Sequence, residues 1–107
     1  MMSYFIFLVT VPNLELGKKI GRVLVETKLA ACVNIISNIY SIYSWKGKIE
    51  EDHEQLLLIK TTEENSDILI DKVKELHVYD IPECIAIKIE KGSQHYLDWI
   101  TNSLKLT

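Results

Sequence analysis

The strand-like segments of this chain are apolar on both faces, and that constrains its fold more than anything else in the sequence. Successive side chains of a strand point to opposite sides of a sheet. A sheet packed on one face and wet on the other should therefore alternate apolar with polar residues. Tyr4–Val11 (YFIFLVTV) does not, since Phe5, Phe7 and Val9 oppose Ile6 and Leu8. Further on, Leu57 and Ile59 oppose Leu56 and Leu58, while Ile85, Ile87 and Ile89 oppose Cys84 and Ala86. Leu, Ile and Val number 35 of 107 residues, which excludes a disordered chain and raises the question of where so much branched surface is buried.

The order of elements follows from punctuation and period. Pro12 stops the first strand, and Asn13 can cap a helix over residues 14 to about 27, with Leu16, Ile20, Val23 and Leu24 at i, i+4, i+7 and i+8. Residues 31–36 and 39–45 read as one long strand, or as two pieces separated by a bulge at Ser37 and Asn38. Lys46-Gly47 supplies a tight turn, and residues 48–60 return as a second long strand. Thr61-x-x-Glu64 reads as a capping box opening a helix to about residue 76, with Leu69, Val73 and Leu76 on one face. Pro82 ends the following turn, residues 84–90 form a strand, and Ser93 starts a last helix carrying Tyr96, Leu97, Ile100 and Leu104. The order βαββαβ points to a single α+β domain over residues 1–107. It is a ferredoxin-like sandwich with a long hairpin between its second and third strands and an extra C-terminal helix.

Two helices cannot cover both faces of such a sheet. A bare second face would exceed the apolar patch that monomers tolerate, and hairpin arms of about 13 residues have edges that need pairing. The expectation is an obligate homo-oligomer whose core is built from the helix-free sheet faces.

Composition narrows the function. The formal net charge is -3, so the basic stripe of a nucleic-acid reader is missing. Cys32 and Cys84 form no C-x-x-C pair, which argues against a disulfide framework or a zinc ribbon. The apolar run at the N-terminus is too short for a membrane span and lacks the features of a secretion signal, so the expected location is cytoplasmic with no membrane partner. No phosphate-cradling glycine motif is present. Acylphosphatase-like enzymes share the element order but need an arginine after the first strand, and the one arginine, Arg22, falls inside the first helix. An RNA-recognition domain would carry stacking aromatics on its third strand, and KIEEDHEQLLLIK has none.

Two clusters carry side chains capable of chemistry. The run Glu50-Glu51-Asp52-His53-Glu54 suits either a hard cation or, as the favoured reading, a solvated hairpin tip. His77, Tyr79, Asp80, Pro82, Glu83 and Cys84 lie between a helix and a strand, where imidazole, phenol and carboxylate on a stiff turn could line a pocket. His77 has an equally good reading as a residue placed at a helix C-terminus. Cys32, among small residues at a strand start, reads first as a core cysteine and second as a ligand or reactive thiol.

Five segments together resemble the CutA family of divalent-cation tolerance proteins. They are Lys28-Leu-Ala-Ala-Cys-Val-Asn34, Ser41-Ile-Tyr-Ser-Trp-Lys-Gly-Lys-Ile-Glu50, Lys60-Thr-Thr62, His77-Val-Tyr-Asp-Ile-Pro-Glu83 and Tyr96-Leu-Asp-Trp-Ile100. The resemblance implies a ferredoxin-like subunit in a compact homotrimer, similar in architecture to the PII signalling proteins, with no enzymatic reaction, no catalytic residue and no obligate cofactor. It implies a link to tolerance of copper and other divalent cations. Carried over by position, His77 and Cys32 are the candidate metal ligands, His77 for copper(II) because imidazole suits that ion. Trp45, Glu50, Glu54, Lys60, Tyr79 and Glu83 are expected at a cleft between subunits. The family often has Pro where Val78 stands, and some members offer a thiol and a second histidine where this chain has Val9 and Leu76. The competing expectation is a PII-like regulatory module whose cleft, with Lys60 and Tyr79, holds a small anionic ligand or signals to a protein partner.

Overall fold

Strand β1 (Tyr4–Val11) ends at Pro12, and Asn13 caps α1 (Leu14–Glu26) by accepting the Leu16 amide at 2.8 Å. The computed structural model describes residues 2–105. The remaining elements are β2 (Cys32–Trp45), β3 (Lys48–Thr62), a 3-10 turn at Glu63–Asn65, α2 (Ser66–Leu76), β4 (Ile85–Lys88) and α3 (Gln94–Ser103). The four strands lie in the order β2-β3-β1-β4, every neighbouring pair antiparallel. With the order βαββαβ this is the ferredoxin-like arrangement.

Register decides which residues share a face. Phe7 stands opposite Ile59 and Ala86, and Leu8 stands opposite Leu58 and Ile85. The first face carries Phe7, Val9, Val11, Leu57 and Ile59, all essentially inaccessible, against Ile20 and Leu24 of α1 and Leu69 and Val73 of α2. The second face carries Ile6, Leu8, Leu56 and Leu58, partly covered, with Ile36, Ile85 and Ile87 at its margins, 45%, 55% and 56% exposed. The strands are thus apolar on both sides, as the pattern of the sequence requires. α3 modifies the expectation that this second face is bare: it closes one end, where Tyr4 and Thr101 hydroxyls meet at 2.8 Å and Ile100 is fully buried outside the main core. The rest of that face stays open in the single chain.

The hairpin outruns the sheet. β1 pairs with β3 only as far as Gln55, so residues 39–54 project as a two-stranded arm. The expected bulge lies between Ile36 and Ile39, with Asn38 at φ 60°, a left-handed conformation that Asn tolerates. Lys46 and Gly47 both take positive φ, the requirement of a two-residue turn whose twist matches its strands.

Two local expectations are corrected. Thr61 does not cap a helix: it is still in β3, fully buried, and its hydroxyl donates to the Leu29 carbonyl at 2.7 Å. That bond satisfies a buried hydroxyl and a loop carbonyl together, so α2 begins later, at Ser66. β4 is also shorter than residues 84–90, although the Ile89 amide still reaches the Tyr4 carbonyl at 2.8 Å.

Candidate functional site

The projecting arm and the loop after α2 enclose a notch of about 620 Å³ beside the C-terminal end of β1. His77, just outside the lining, positions the loop residues that form one wall of it. α2 ends at Leu76, and the His77 amide closes the last turn on the Val73 carbonyl at 2.9 Å. The chain then turns extended, which brings the imidazole over β1. β4 pairs with β1 only up to Leu8, and His77 Nε2 donates to the Thr10 carbonyl at 2.7 Å beyond that point. Its Nδ1 accepts from the backbone amides of Val78 (2.9 Å) and Tyr79 (3.2 Å). Both ring nitrogens are therefore engaged with backbone, and a metal ion at either would displace one of these bonds. The imidazole also lies against the Tyr79 ring, with centroids 4.6 Å apart.

Tyr79, set by that histidine, donates its hydroxyl to Glu54 Oε2 at 2.7 Å. Glu54 is only 6% exposed. The favoured reading of residues 50–54 as a wholly solvated tip fails here, because Glu54 sits where the arm leaves the sheet and the loop covers it. Glu50 lies further out, opposite Tyr43. Tyr43 donates to Asp52, diagonally across the arm, and Tyr40 to Glu51 at 2.9 Å. Trp45, Glu54, Tyr79 and Glu83, all expected at a cleft, do line one notch, together with Tyr43 and Asp80.

Lys60 and Cys32 lie elsewhere. They are cross-strand partners level with Ile6, on the sheet face that α3 partly covers. The Lys60 ammonium donates to Asn34 Oδ1 and stands 4.0 Å from Cys32 Sγ. Thr10, which holds His77, is four residues along β1, roughly 13 Å away at strand spacing. Within one chain the two expected metal ligands do not meet. Among the described residues no group of three or more His, Cys, Asp or Glu is placed to hold a metal ion.

Electrostatics follow from this crowding of acids. Burial, then the neighbouring Glu54 carboxylate, raises the Glu83 carboxyl. Burial and the bond to Glu54 raise the Tyr79 phenol. The Asp52 hydrogen bond is the main cause that pushes Tyr43 up to about 12. Cys84 is pushed up to about 11, chiefly by burial and then by Glu83, which makes it an inert thiol at neutral pH.

The sign of the Glu83 shift gives a test. A carboxyl raised in the fold binds more protons folded than unfolded, so its contribution to stability is lost as pH rises through the folded value. Glu83→Gln should therefore be more stable than wild type at neutral pH, with the gap closing as pH falls through the carboxylate range. Urea midpoints at pH 7.5 and pH 4 measure this. A gap that widens on acidification contradicts the assignment.

Tyr43 lines the notch without having been singled out from the sequence, and its partner Asp52, outside the notch lining, was read only as part of the acidic run. Their signal was available, since a diagonal offset of two on paired strands lets a long phenol reach a carboxylate.

Comparison with known proteins agrees with the fold and the motifs. The profile of the CutA1 divalent ion tolerance protein matches residues 5–103. The chain is 47% identical over 95 residues to the divalent-cation tolerance protein CutA of Thermus thermophilus, covering 89% of this chain and 92% of that protein. It is 50% identical over 97 residues to the chloroplastic protein CutA of Arabidopsis thaliana, covering 91% of this chain and spanning about half, 53%, of that relative's length. The crystal structure of CutA1 from Oryza sativa superposes with a TM-score of 0.93 at 46% identity, over 98% of this chain and 96% of that one. With fold, motif order and near full-length similarity in agreement, the chain belongs to the CutA1 divalent ion tolerance family.

Proposed function

We propose that this chain is a non-enzymatic homotrimer that takes up divalent cations, copper(II) among them, as cargo at the notch between hairpin arm and loop. One observation carries the reading. Among the described residues the notch is lined by three carboxylates, Glu54, Asp80 and Glu83, which do not converge as a ligand set within one chain, and by no lysine, arginine or histidine side chain. Glu83 already senses Glu54, so a cation relieves repulsion as well as supplying attraction. Membership of a family named for divalent ion tolerance supports the same ligand class.

The trimer is supported by the second sheet face. Ile36, Ile85 and Ile87 are exposed there beside half-covered Ile6, Leu8 and Leu58, and assembly would bury them. The notch opens beside the projecting arm, where a neighbouring subunit of the proposed trimer would complete it. His77 enters as a ligand only where copper displaces the Val78 and Tyr79 amides from Nδ1 or the Thr10 carbonyl from Nε2. Cys32, on the face that a neighbour would cover, reaches a site only across the subunit boundary.

Copper(II) titration by calorimetry tests this on the assembled protein. Glu54→Gln should weaken binding at least about tenfold, equivalent to roughly 1.4 kcal/mol. Unchanged affinity in both Glu54→Gln and Glu83→Gln would remove the notch from the role. His77→Gln assigns the imidazole: a comparable loss makes it a ligand, and unchanged affinity leaves it positioning the loop.

The alternative of a small anionic ligand loses its support at this site. Within one chain Lys60 does not accompany Tyr79 but is engaged with Asn34, and an anion in the notch would face three carboxylates; like Cys32, Lys60 would join a cleft only across the subunit boundary.

A further inference from the structure

We propose that the groove between α1 and the edge strand β2 binds a small amphiphilic carboxylate, a single anionic head on an aliphatic chain of medium length. The groove, of about 490 Å³, lies on the helix-covered side of the sheet, away from the face that the proposed trimer would bury. Its form follows from α1. Lys18, Arg22 and Val25 recur at i, i+4 and i+7 and share one stripe of the helix. Beneath them Val33 and Ile35 pair with Ile59 and Leu57 and so point to the helix side. A Cβ on Gly21 would stand 3.3 Å from Val33, and one on Gly17 3.6 Å from Ile35. α1 therefore lies antiparallel on β2, with Ile35 at the Lys18 end of the groove and Val33 at the Val25 end. β2 has no strand beyond it, so the outer side of the groove is open within the chain.

The two ends differ in chemistry. Lys18 forms no salt bridge among the described residues. Arg22 has only Glu26, at 3.9 Å, and both side chains stand largely in water, so the pair holds it loosely. Two cations thus flank one end of a groove in a chain whose net charge is -3. A carboxylate complements both, since Arg22 offers a planar fork of donors and Lys18 a point charge. Ile35 floors this end. Val33, half-buried, and Val25, exposed, continue it as an apolar track along which an aliphatic chain leaves water. Glu26 stands at the far end, about 12 Å from Lys18 along the helix. It disfavours a second carboxylate there, so the fitting ligand is a monocarboxylate.

The probe is octanoate, titrated into the assembled protein by calorimetry and followed by NMR shifts of the Val25, Val33 and Ile35 methyl groups. Octylammonium is the control of opposite charge, and suberate adds a second carboxylate at the far end. Saturable octanoate binding that moves those methyls is expected, with suberate weaker and octylammonium leaving them unmoved. Lys18→Gln or Arg22→Gln should each weaken octanoate roughly twofold to fivefold, the range for an exposed ion pair, and the two together at least about fivefold. Glu26→Gln should tighten binding, because it frees Arg22 and removes the repelling acid. Val25→Asp, which keeps both cations but charges the apolar track, should weaken it. All four side chains are exposed, so the variants should fold as wild type, as the unchanged amide spectrum elsewhere would show. Octylammonium binding as tightly as octanoate, unchanged affinity in the doubly substituted protein, or octanoate shifts confined to Ile85 and Ile87 on the other sheet face would overturn the proposal.

Discussion

Leu58→Asp should abolish assembly. Leu58 faces Leu8 on one side and Asn34 on the other, on the sheet face that α1 and α2 do not cover. Placing a carboxylate there in the proposed trimer buries a charge without a partner, at a cost of several kcal/mol in each chain. Sedimentation equilibrium should show wild type at three times the mass of one chain. The variant should give either a monomer or a misfolded, aggregating product. Ile68→Asp is the control: Ile68 is 59% exposed on α2, away from the sheet, and its variant should sediment as wild type. A Leu58→Asp protein that remains trimeric, or a wild-type protein that sediments as a folded monomer, would overturn the proposed assembly.

Phe7→Ala should be the most damaging single truncation in the core. Phe7 is 1% exposed at the centre of the sheet, edge-on to Phe5 with ring centroids 6.3 Å apart, and it belongs to the main core cluster. Truncating such a ring costs about 3–5 kcal/mol, through lost transfer energy and the cavity left behind. That is a large share of the roughly 5–15 kcal/mol that holds a domain folded. Ile87→Ala makes the informative comparison. In the single chain Ile87 is 56% exposed, so its truncation should cost little there. If the proposed trimer buries it, the loss should rise to between about 1 and 3 kcal/mol, and should depend on protein concentration. Urea denaturation at two protein concentrations measures both variants. An Ile87→Ala cost as small as that of Ile68→Ala would show that this face stays in water.

The strands and the hairpin were legible because their determinants are local. Pro12 terminates β1, Lys46-Gly47 takes the two positive φ angles of its turn, and Asn38 marks the bulge. The start of α2 was misread because Thr61 satisfies the usual capping pattern and yet donates to Leu29, 32 residues away. The reach of α3 was missed for a similar reason. Its apolar stripe was visible, but only the Tyr4–Thr101 bond and the burial of Ile100 show which sheet face it covers.

The candidate site divides in the same way. Trp45, Glu54, Tyr79 and Glu83 were expected together from motif resemblance, and they line one notch. Lys60 was expected with them but pairs with Cys32 near Ile6. The engagement of His77 had no sequence signal at all. It depends on where β4 stops pairing and leaves the Thr10 carbonyl to be satisfied.

By itself, then, the sequence determined that the strands are apolar on both faces, because side-chain period in a strand is a matter of covalent geometry. Only the tertiary structure decided how each face is used. One face is filled by α1 and α2, the other is closed at one end by α3 and otherwise open, and the arm and the His77 loop enclose an acidic notch. Contacts such as Tyr79 with Glu54, 25 residues apart, depend on register, twist and the length of β4, none of which a local pattern encodes.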